Sequence, residues 1–208
     1  MTDETKRRDA REVPRAEFDE AFRPIASEIG YLTREWNALQ DNLATIFAAL
    51  MSPDNINIPL AVWNSTPSDR TQRDMLRAAL ASWKLFNAKK ESVVEEIIWL
   101  LNETDKLANK RNDALHAPLN ILLNVDTLEF SIEPNYWQNN PRAKNLKGKN
   151  VLSEFAKYRA QAGCLGQYAI QIWMHLRKSL KTLPQRPKLP TSGALLSPEK
   201  QTHQAHQQ

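Results

Sequence analysis

The chain has 208 residues, is 41% hydrophobic and carries a formal net charge of +4. That length buries one sizeable core, and so modest a charge excludes a protein that coats polyanions through a basic stripe along its surface. The single cysteine, Cys164, excludes an internal disulfide framework and a cysteine-based zinc site, and no apolar run approaches the roughly 20 residues that cross a bilayer.

The composition predicts an all-α protein. Glycine occurs only five times, and the long segments are dominated by Leu, Ala, Lys, Glu, Arg and Gln, which favour helices. No N-terminal apolar run resembles a signal peptide, so we expect a cytoplasmic protein that does not contact a membrane. Residues 1–17 are charge-dense, so we expect them to be disordered or to be the frayed start of a helix. Residues 184–208 are rich in Pro, Gln, Ser and His, so we expect a disordered tail. Residues 18–183 then form one helical domain.

The clearest predicted helix spans residues 18–51. Pro53 and the turn residues beside it end this helix. Residues 56–67 hold two prolines and show no period, so we expect a connection that packs on the bundle through Leu60 and Trp63. The apolar positions of the helix recur at steps of four and three, the spacing of a buried face: Ile25, Ile29, Leu32, Trp36, Leu39, Leu43, Ile46 and Leu50.

The second and third helices are predicted mainly from their ends. Ser68 or Asp69 can cap the second helix, whose apolar positions include Leu76. The third helix begins near Lys89, and Pro118 ends or kinks it, because the residue before a proline is disfavoured in the helical conformation.

Beyond the third helix the pattern changes. Apolar and polar residues alternate over residues 127–132, and together with residues 121–125 and a turn signal at residues 124–126 this predicts a small β-hairpin. A polar loop over residues 133–149 leads to the last helix, at residues 150–183, whose apolar residues again recur at steps of four and three. The predicted fold is a bundle of four main helices with a small hairpin or loop insertion between the third and the fourth.

Residues 111–116, with the sequence RNDALH, carry the clearest chemistry of the chain. On an α-helix Asn112 and His116 share a face, whereas Arg111 lies roughly 140° around the axis from His116. An imidazole can take or give a proton near neutral pH, and a guanidinium stays charged and binds phosphate oxygens. RNA supplies its own nucleophile, the 2′-hydroxyl, so these groups can cleave it without a metal, and Asn112 can orient the imidazole or the phosphate.

The helix face that carries His116 changes character along its length. Followed backward through Asn112, it passes Asn109 and Asp105 and then becomes apolar at Leu101, Ile98 and Val94. Such a face either emerges into solvent or lines a cavity or interface that satisfies its polar groups. Asp105, Asn109 and Asp113 are possible supporting residues of a site. For the two carboxylates the alternative is that they are solvated helix-face charges.

The other histidines predict no metal site. The sequence contains neither a His-Glu-x-x-His motif nor a cysteine pair, and it has no glycine-rich phosphate loop. His203 and His206 reflect the composition of the tail, and His175 is interpreted as a helix-face histidine. We therefore expect neither a metal nor a cofactor.

A cluster of basic residues lies in the polar loop before the last helix. It consists of Arg142, Lys144, Lys147 and Lys149. These residues either form a solvated loop or contact RNA phosphates.

The motif at residues 111–116, near the end of the third long helix of a helical bundle, resembles the HEPN superfamily. The hallmark of that superfamily is an arginine followed by a polar residue, with a histidine a few residues further on. The resemblance implies that Arg111 and His116 are catalytic, that Asn112 supports them, and that the motifs of two subunits face each other to cleave RNA without metal. Such proteins act as toxins, in anti-phage systems or in RNA processing. RNA, a second copy of the chain and an antitoxin or other regulatory protein are thus the expected partners.

A non-catalytic interaction module is the alternative function. In that case the long helices of residues 18–51 and 150–183 form a dimer or bind a partner helix, and Arg111 and His116 contribute to stability alone. The polar stretch that begins at Asp105 favours the catalytic hypothesis, because a scaffold has little use for it on a face that starts as core.

Overall fold

The computed structural model describes residues 15–87, 90–123, 130–135 and 139–192. Within these residues the chain forms six helices and one antiparallel pair of strands, and the predominance of helix confirms the predicted all-α class. In chain order the elements are α1 (Arg15–Met51), α2 (Asn57–Asn64), α3 (Asp69–Phe86), α4 (Glu91–His116), β1 (Leu119–Leu123), β2 (Phe130–Pro134), α5 (Pro141–Asn145) and α6 (Val151–Leu176).

The packing of α1 against α6 forms the most extensive contact between elements of the bundle. The apolar positions predicted for the first helix are buried, apart from the half-buried Ile29, which still packs on the core. At the crossing of the two helices, Asn42 Nδ2 donates to the carbonyl of Gly166 at 3.2 Å. A Cβ at Gly166 would lie 3.7 Å from the Cα of Leu39. A methyl group at residue 166 would therefore fit in ordinary van der Waals contact, whereas a larger side chain would collide with α1.

The segment between the first two predicted helices contains a helix that the sequence analysis missed. We expected a connection at residues 56–67, but α2 occupies most of it. Pro59 lies in the first turn of α2, where the missing N–H has no helical partner in any case, so proline did not break this helix. The expected packing of Trp63 is confirmed, since its ring centre lies 5.4 Å from that of Phe47.

Helix α3 begins as predicted, with Ser68 as its N-cap. The Ser68 hydroxyl oxygen accepts from the Thr71 N–H at 3.4 Å. Helix α4 ends at His116, two residues before Pro118, as the restriction on the residue preceding proline predicts. The prediction was wrong for one residue of its apolar face, since Ile98 is 45% exposed.

The predicted hairpin is present. β1 pairs with β2 in antiparallel register, with Ile121 opposite Ile132. The turn predicted near residues 124–126 lies outside the described residues. The polar loop after the hairpin also contains a short helix, α5, because Asn140 Oδ1 accepts from the N–H groups of Arg142 and Ala143 at 2.9 and 3.3 Å.

The end of α6 and the segment that follows it differ from the prediction. Helix α6 ends at Leu176 rather than at residue 183, and residues 184–192, expected to be disordered, lie along the bundle. Gln161 Nε2 donates to the Pro190 carbonyl at 2.7 Å, and Arg186 Nε donates to Glu96 Oε2 at 2.8 Å. The physical reason is that prolines set an extended backbone at low entropic cost while Leu183 and Leu189 pack on the core. Residues 1–14 and 193–208 lie outside the described residues.

Among the described helices, none is long and apolar enough to cross a membrane.

The crossing at Gly166 gives a test of the fold. Gly166→Ala places a methyl group in ordinary van der Waals contact with Leu39, so we expect its melting temperature to equal or exceed that of the wild type. Gly166→Leu forces α1 and α6 apart, and we expect it to cost about 1–3 kcal/mol. Thermal unfolding followed by circular dichroism compares the two variants, and equal melting temperatures for both would contradict the close approach.

Candidate functional site

The indole of Trp36, buried in the middle of α1, organises the charged groups around it. Its Nε1–H donates to Asp69 Oδ2 at 3.1 Å. The guanidinium carbons of Arg73 and Arg111 lie 5.7 and 5.6 Å from the centre of its ring. These distances suit cation–π attraction, so one aromatic ring holds an arginine from α3 and an arginine from α4.

The guanidinium of Arg111 is half-buried and only partly satisfied. Its Nη1 donates to Asn112 Oδ1 at 3.1 Å, whereas its Nε is buried and has no hydrogen-bond partner among the described residues. Burial lowers the pKa of this guanidinium, the charge of Arg73 lowers it further, and the charge of Asp69 opposes both. Arginine remains charged all the same, because its ordinary pKa is so high. A negatively charged ligand near Arg111 would offset both the cost of burying the guanidinium and its repulsion by Arg73.

Asp105 serves the arginines of α3. Its carboxylate accepts from Arg73 Nε at 2.7 Å and from Arg77 Nη2 at 2.5 Å. Burial by itself raises the pKa of this carboxyl, but the hydrogen bonds and charges of the two arginines outweigh it and hold the pKa below its ordinary range. The structure therefore places the predicted supporting residue Asp105 in an ion-pair cluster that positions α3 against α4.

A cleft of about 730 Å³ opens beside Arg111, between α1, the end of α2 and the start of α3. We call it the Arg111 cleft. Gln40 belongs to it and was missed by the sequence analysis, although a glutamine four residues after Trp36, on a face that is otherwise core, was a usable signal. The lining used below consists of Trp36, Asn37, Gln40, Asp41, Asp69 and Arg111.

A second cleft, of about 520 Å³, adjoins the first one, since Asp69 lines both. It is lined in part by Asp105, Asn109 and Asn112. The polar residues that continue the apolar face of α4 thus border a cavity for part of their length, as one of the two sequence hypotheses requires. Arg111 and Asn112 face neighbouring clefts rather than a shared one.

His116 lies apart from the other two motif residues. It is exposed, at the last residue of α4, and the described lining of the Arg111 cleft does not include it. Five residues along a helix turn the side chain by roughly 140°. A single copy of the chain therefore does not gather Arg111 and His116 into one cavity.

Part of the basic loop is held next to the end of α4. Asn145 Nδ2 donates to Asp113 Oδ2 at 2.9 Å, and Arg142 Nη1 lies 3.9 Å from Asp113 Oδ1. Asp113, another of the predicted supporting residues, thus attaches α5 to the motif. Lys144, on α5, is exposed.

The remaining lysines of the loop lie elsewhere. Lys147 and Lys149 border a separate groove of about 510 Å³ beside β2. Lys149 Nζ also lies 3.9 Å from Glu154 Oε2. The four predicted RNA-binding residues therefore divide into two pairs, of which only the pair on α5 adjoins α4.

The Arg111 cleft combines one cation with several amide and carboxylate groups. Arg111 can donate hydrogen bonds to an anion, and Asn37, Gln40 and Asp41 offer further donors and acceptors. Such a lining suits a polar ligand that carries both a negative charge and a hydrogen-bonding edge.

The chain matches no protein-family model, no curated protein and no solved structure.

Asp105→Asn should destabilise the protein in a pH-dependent way. The exchange removes the charge shared by the buried Arg73 and the half-buried Arg77, and we expect a loss of about 1–2 kcal/mol at pH 7. Because the pKa of the folded carboxyl is lowered, its stabilisation is present above the ordinary value of 3.8 and is lost as the pH falls through the lowered pKa. Urea unfolding should thus separate the variant from the wild type at pH 7 and bring them together in strong acid.

Asp74→Asn is the matched control for this measurement. Asp74 is exposed, and its Oδ1 lies 3.4 Å from Arg77 Nη1. We expect this variant to lose less than about 0.5 kcal/mol at any pH. Equal losses for Asp74→Asn and Asp105→Asn would show that Asp105 has no special role in positioning α3.

Proposed function

We propose that the protein is a metal-independent endoribonuclease of the HEPN type that acts as a homodimer in the cytoplasm. The observation that carries this proposal is the state of Arg111. Arg73 and Arg77 are paired with Asp105, whereas Arg111 lines an open cleft with a buried Nε that has no hydrogen-bond partner. A cation held in this way is suited to bind a phosphate, since phosphate oxygens complete its hydrogen bonds.

In the proposed reaction the 2′-hydroxyl of RNA attacks the adjacent phosphorus. A bond forms between the 2′-oxygen and phosphorus, and the bond from phosphorus to the 5′-oxygen breaks. His116 acts either as the general base that accepts the proton of the 2′-hydroxyl or as the general acid that donates a proton to the 5′-oxygen. Arg111 stabilises the negative charge on the phosphorane. Asn112, hydrogen-bonded to Arg111, holds the guanidinium in place. The products are a 2′,3′-cyclic phosphate and a 5′-hydroxyl end.

The separation of Arg111 from His116 supports a site that two copies complete. One chain presents these residues on different sides of α4, so a phosphate bound at Arg111 needs a proton-transfer group from elsewhere. The exposed His116 of a second copy is the candidate. Activity then depends on pairing, which suits a toxin or a defence protein restrained by an antitoxin or another regulatory protein.

The pair of basic residues on α5 extends the proposed site. Arg142 Nη1 lies 3.9 Å from Asp113 Oδ1, and Lys144, two residues further along α5, is exposed. Both lie beside the end of α4, where RNA would reach His116. We therefore assign RNA phosphate contacts to these two residues before the pair near β2.

One observation favours the alternative, a non-catalytic interaction module. Large apolar side chains are exposed around α2: Ile58 is 66% exposed, Val62 48% and Met51 56%. Exposed apolar patches mark surfaces that bind other proteins. If the protein is such a module, it has no nuclease activity, and the next experiment decides between the two functions.

Cleavage of end-labelled RNA in EDTA is the test of the proposed function. We expect the wild type to produce 2′,3′-cyclic phosphate ends, and His116→Ala and Arg111→Gln to lower the rate by about 100-fold or more, because each removes a group that acts on the transition state. His175→Ala is the matched control, since that histidine lies near the end of α6 and its Nδ1 is 3.1 Å from the Leu180 carbonyl oxygen.

Circular dichroism shows whether each variant is folded before its rate is interpreted. If folded wild type and folded His116→Ala are equally inert on several RNA classes, the interaction module is the better account. If both cleave at the same rate, His116 is not catalytic.

The basic pair on α5 makes a separate prediction about RNA binding. Each phosphate contact to single-stranded RNA contributes about 0.7 to the slope of log affinity against log salt concentration. Replacing Arg142 and Lys144 together by Gln should therefore lower the slope by about 1.4. Fluorescence anisotropy with a labelled RNA measures the slope in the His116→Ala background, where the RNA stays intact.

Lys181→Gln is the control for the binding measurement. Lys181 is exposed and lies in a cavity lining together with Lys90, at the opposite end of α4 from His116. Its slope should equal that of the starting protein. Equal reductions by both sets of changes would mean that RNA binds no preferred face.

A further inference from the structure

Gln40 leaves hydrogen bonds unmade beside Arg111. The residue is 8% exposed, and within the part of the chain that the structure describes neither its Oε1 nor its Nε2 has a hydrogen-bond partner. Arg111 Nε is in the same state, and both residues line the Arg111 cleft. Folded proteins rarely leave both ends of a buried amide unpaired, so each such group needs an explanation. A turn of the Gln40 side chain toward the cleft would bring its amide to a bound ligand.

The α1 side of the cleft is the side available to a ligand. Asn37 and Asp41 are exposed and lie one turn apart on α1, and their side chains make no hydrogen bond or ion pair with the described residues. The opposite wall is already engaged. Asp69 accepts from Trp36 Nε1, and Gln72 Nε2 donates to the carbonyls of residues 63 and 66 at 3.1 Å each.

The charges of the cleft narrow the class of ligand. A free phosphate suits Arg111 but not the carboxylates of Asp41 and Asp69, and a simple cation suits the carboxylates but not Arg111. A nucleotide carries both kinds of group, since its phosphate is anionic and its base presents N–H donors. Proteins read single-stranded RNA in this way, through hydrogen bonds to the edges of unstacked bases. The cleft, about 730 Å³, is large enough for one nucleotide.

Among the four RNA bases, guanine fits this lining best. Its ring N1–H and its exocyclic N2 amino group lie side by side, so one carboxylate can accept from both. Its O6 accepts from an amide N–H. Asp41 supplies the carboxylate, and Asn37 and Gln40 supply the amides. Uracil and cytosine each lack one of the two adjacent donors, and adenine presents an unprotonated ring nitrogen at the corresponding position.

We infer that the Arg111 cleft binds a guanine base of single-stranded RNA, with Asp41, Asn37 and Gln40 reading its edge and Arg111 holding the adjacent phosphate. This inference rests on the proposed function and deepens it, since it makes the enzyme one that cleaves beside guanosine. The three α1 residues are specificity residues, and Arg111 contributes to the affinity for all nucleotides.

Calorimetric binding of guanosine, adenosine, cytidine and uridine 3′-monophosphates to the full chain tests the inference without requiring cleavage. We expect the guanosine nucleotide to bind at least about 10-fold more tightly than the others. Asp41→Asn should remove that preference and leave the other three affinities unchanged, whereas Arg111→Gln should weaken all four. Asp54→Asn, an exposed carboxylate in the turn after α1, is the matched control and should behave as the wild type.

Gln40→Leu separates binding from stability. It removes two unpartnered polar atoms, so its melting temperature should equal or exceed that of the wild type while guanosine affinity falls by about 10-fold. A merely structural glutamine would leave the affinity unchanged. Equal affinity for all four nucleotides, no binding of the guanosine nucleotide, or a guanine preference that survives Asp41→Asn would each overturn the inference.

The RNA cleavage assay and the nucleotide-binding measurement test separate claims. Guanine-selective binding by a protein that cleaves no RNA in EDTA overturns the proposed function and leaves the base site standing. Cleavage without guanine-selective binding does the opposite.

Discussion

The arrangement of the candidate site depends on one buried ring. Trp36 accepts two guanidinium groups at its faces and donates its N–H to Asp69, so three helices meet at a single side chain. Two like charges at one ring repel each other, and Asp69 offsets both of them. Without Trp36, Arg111 would lose the aromatic ring on which it packs, and with it the contact that holds its guanidinium beside the cleft.

The two arginines at this ring are not equivalent. Arg73 is paired with Asp105 through its Nε, although its Nη1 has no hydrogen-bond partner among the described residues, and that pairing positions α3 against α4. Among the described residues, Arg111 is hydrogen-bonded to the Asn112 amide and has only the more distant charge of Asp69, one oxygen of which already accepts from the indole. The same cluster therefore contains a cation that is paired with a carboxylate and a cation whose hydrogen bond is to a neutral amide. The second kind is what an anion-binding site needs.

The sequence predicted the helices whose apolar residues recur at a regular spacing. Helices α1 and α6 were predicted in this way, because burial of one face imposes that spacing. Helix α2 and the ordered residues 184–192 were missed, because a proline can end a helix, start one or hold an extended segment. Arg111 and His116 were proposed as site residues from their residue types and spacing, and that assignment stays a prediction. Gln40 was not proposed, although its position on the core face of α1 was a usable signal, because its cleft forms only where α1, α2 and α3 meet.

The contrast between Arg111 and His116 bears on control of the proposed activity. Arg111 is positioned by groups of its own chain, on a ring that packing holds still, whereas His116 is exposed at a helix end. Catalysis needs both groups within about 3 Å of the reacting atoms. Under the proposed mechanism, a chain that positions only one of them binds a phosphate but does not complete the proton transfers alone. The encounter of two chains then creates the missing geometry, so a partner that covers the end of α4 would suppress cleavage without touching Arg111.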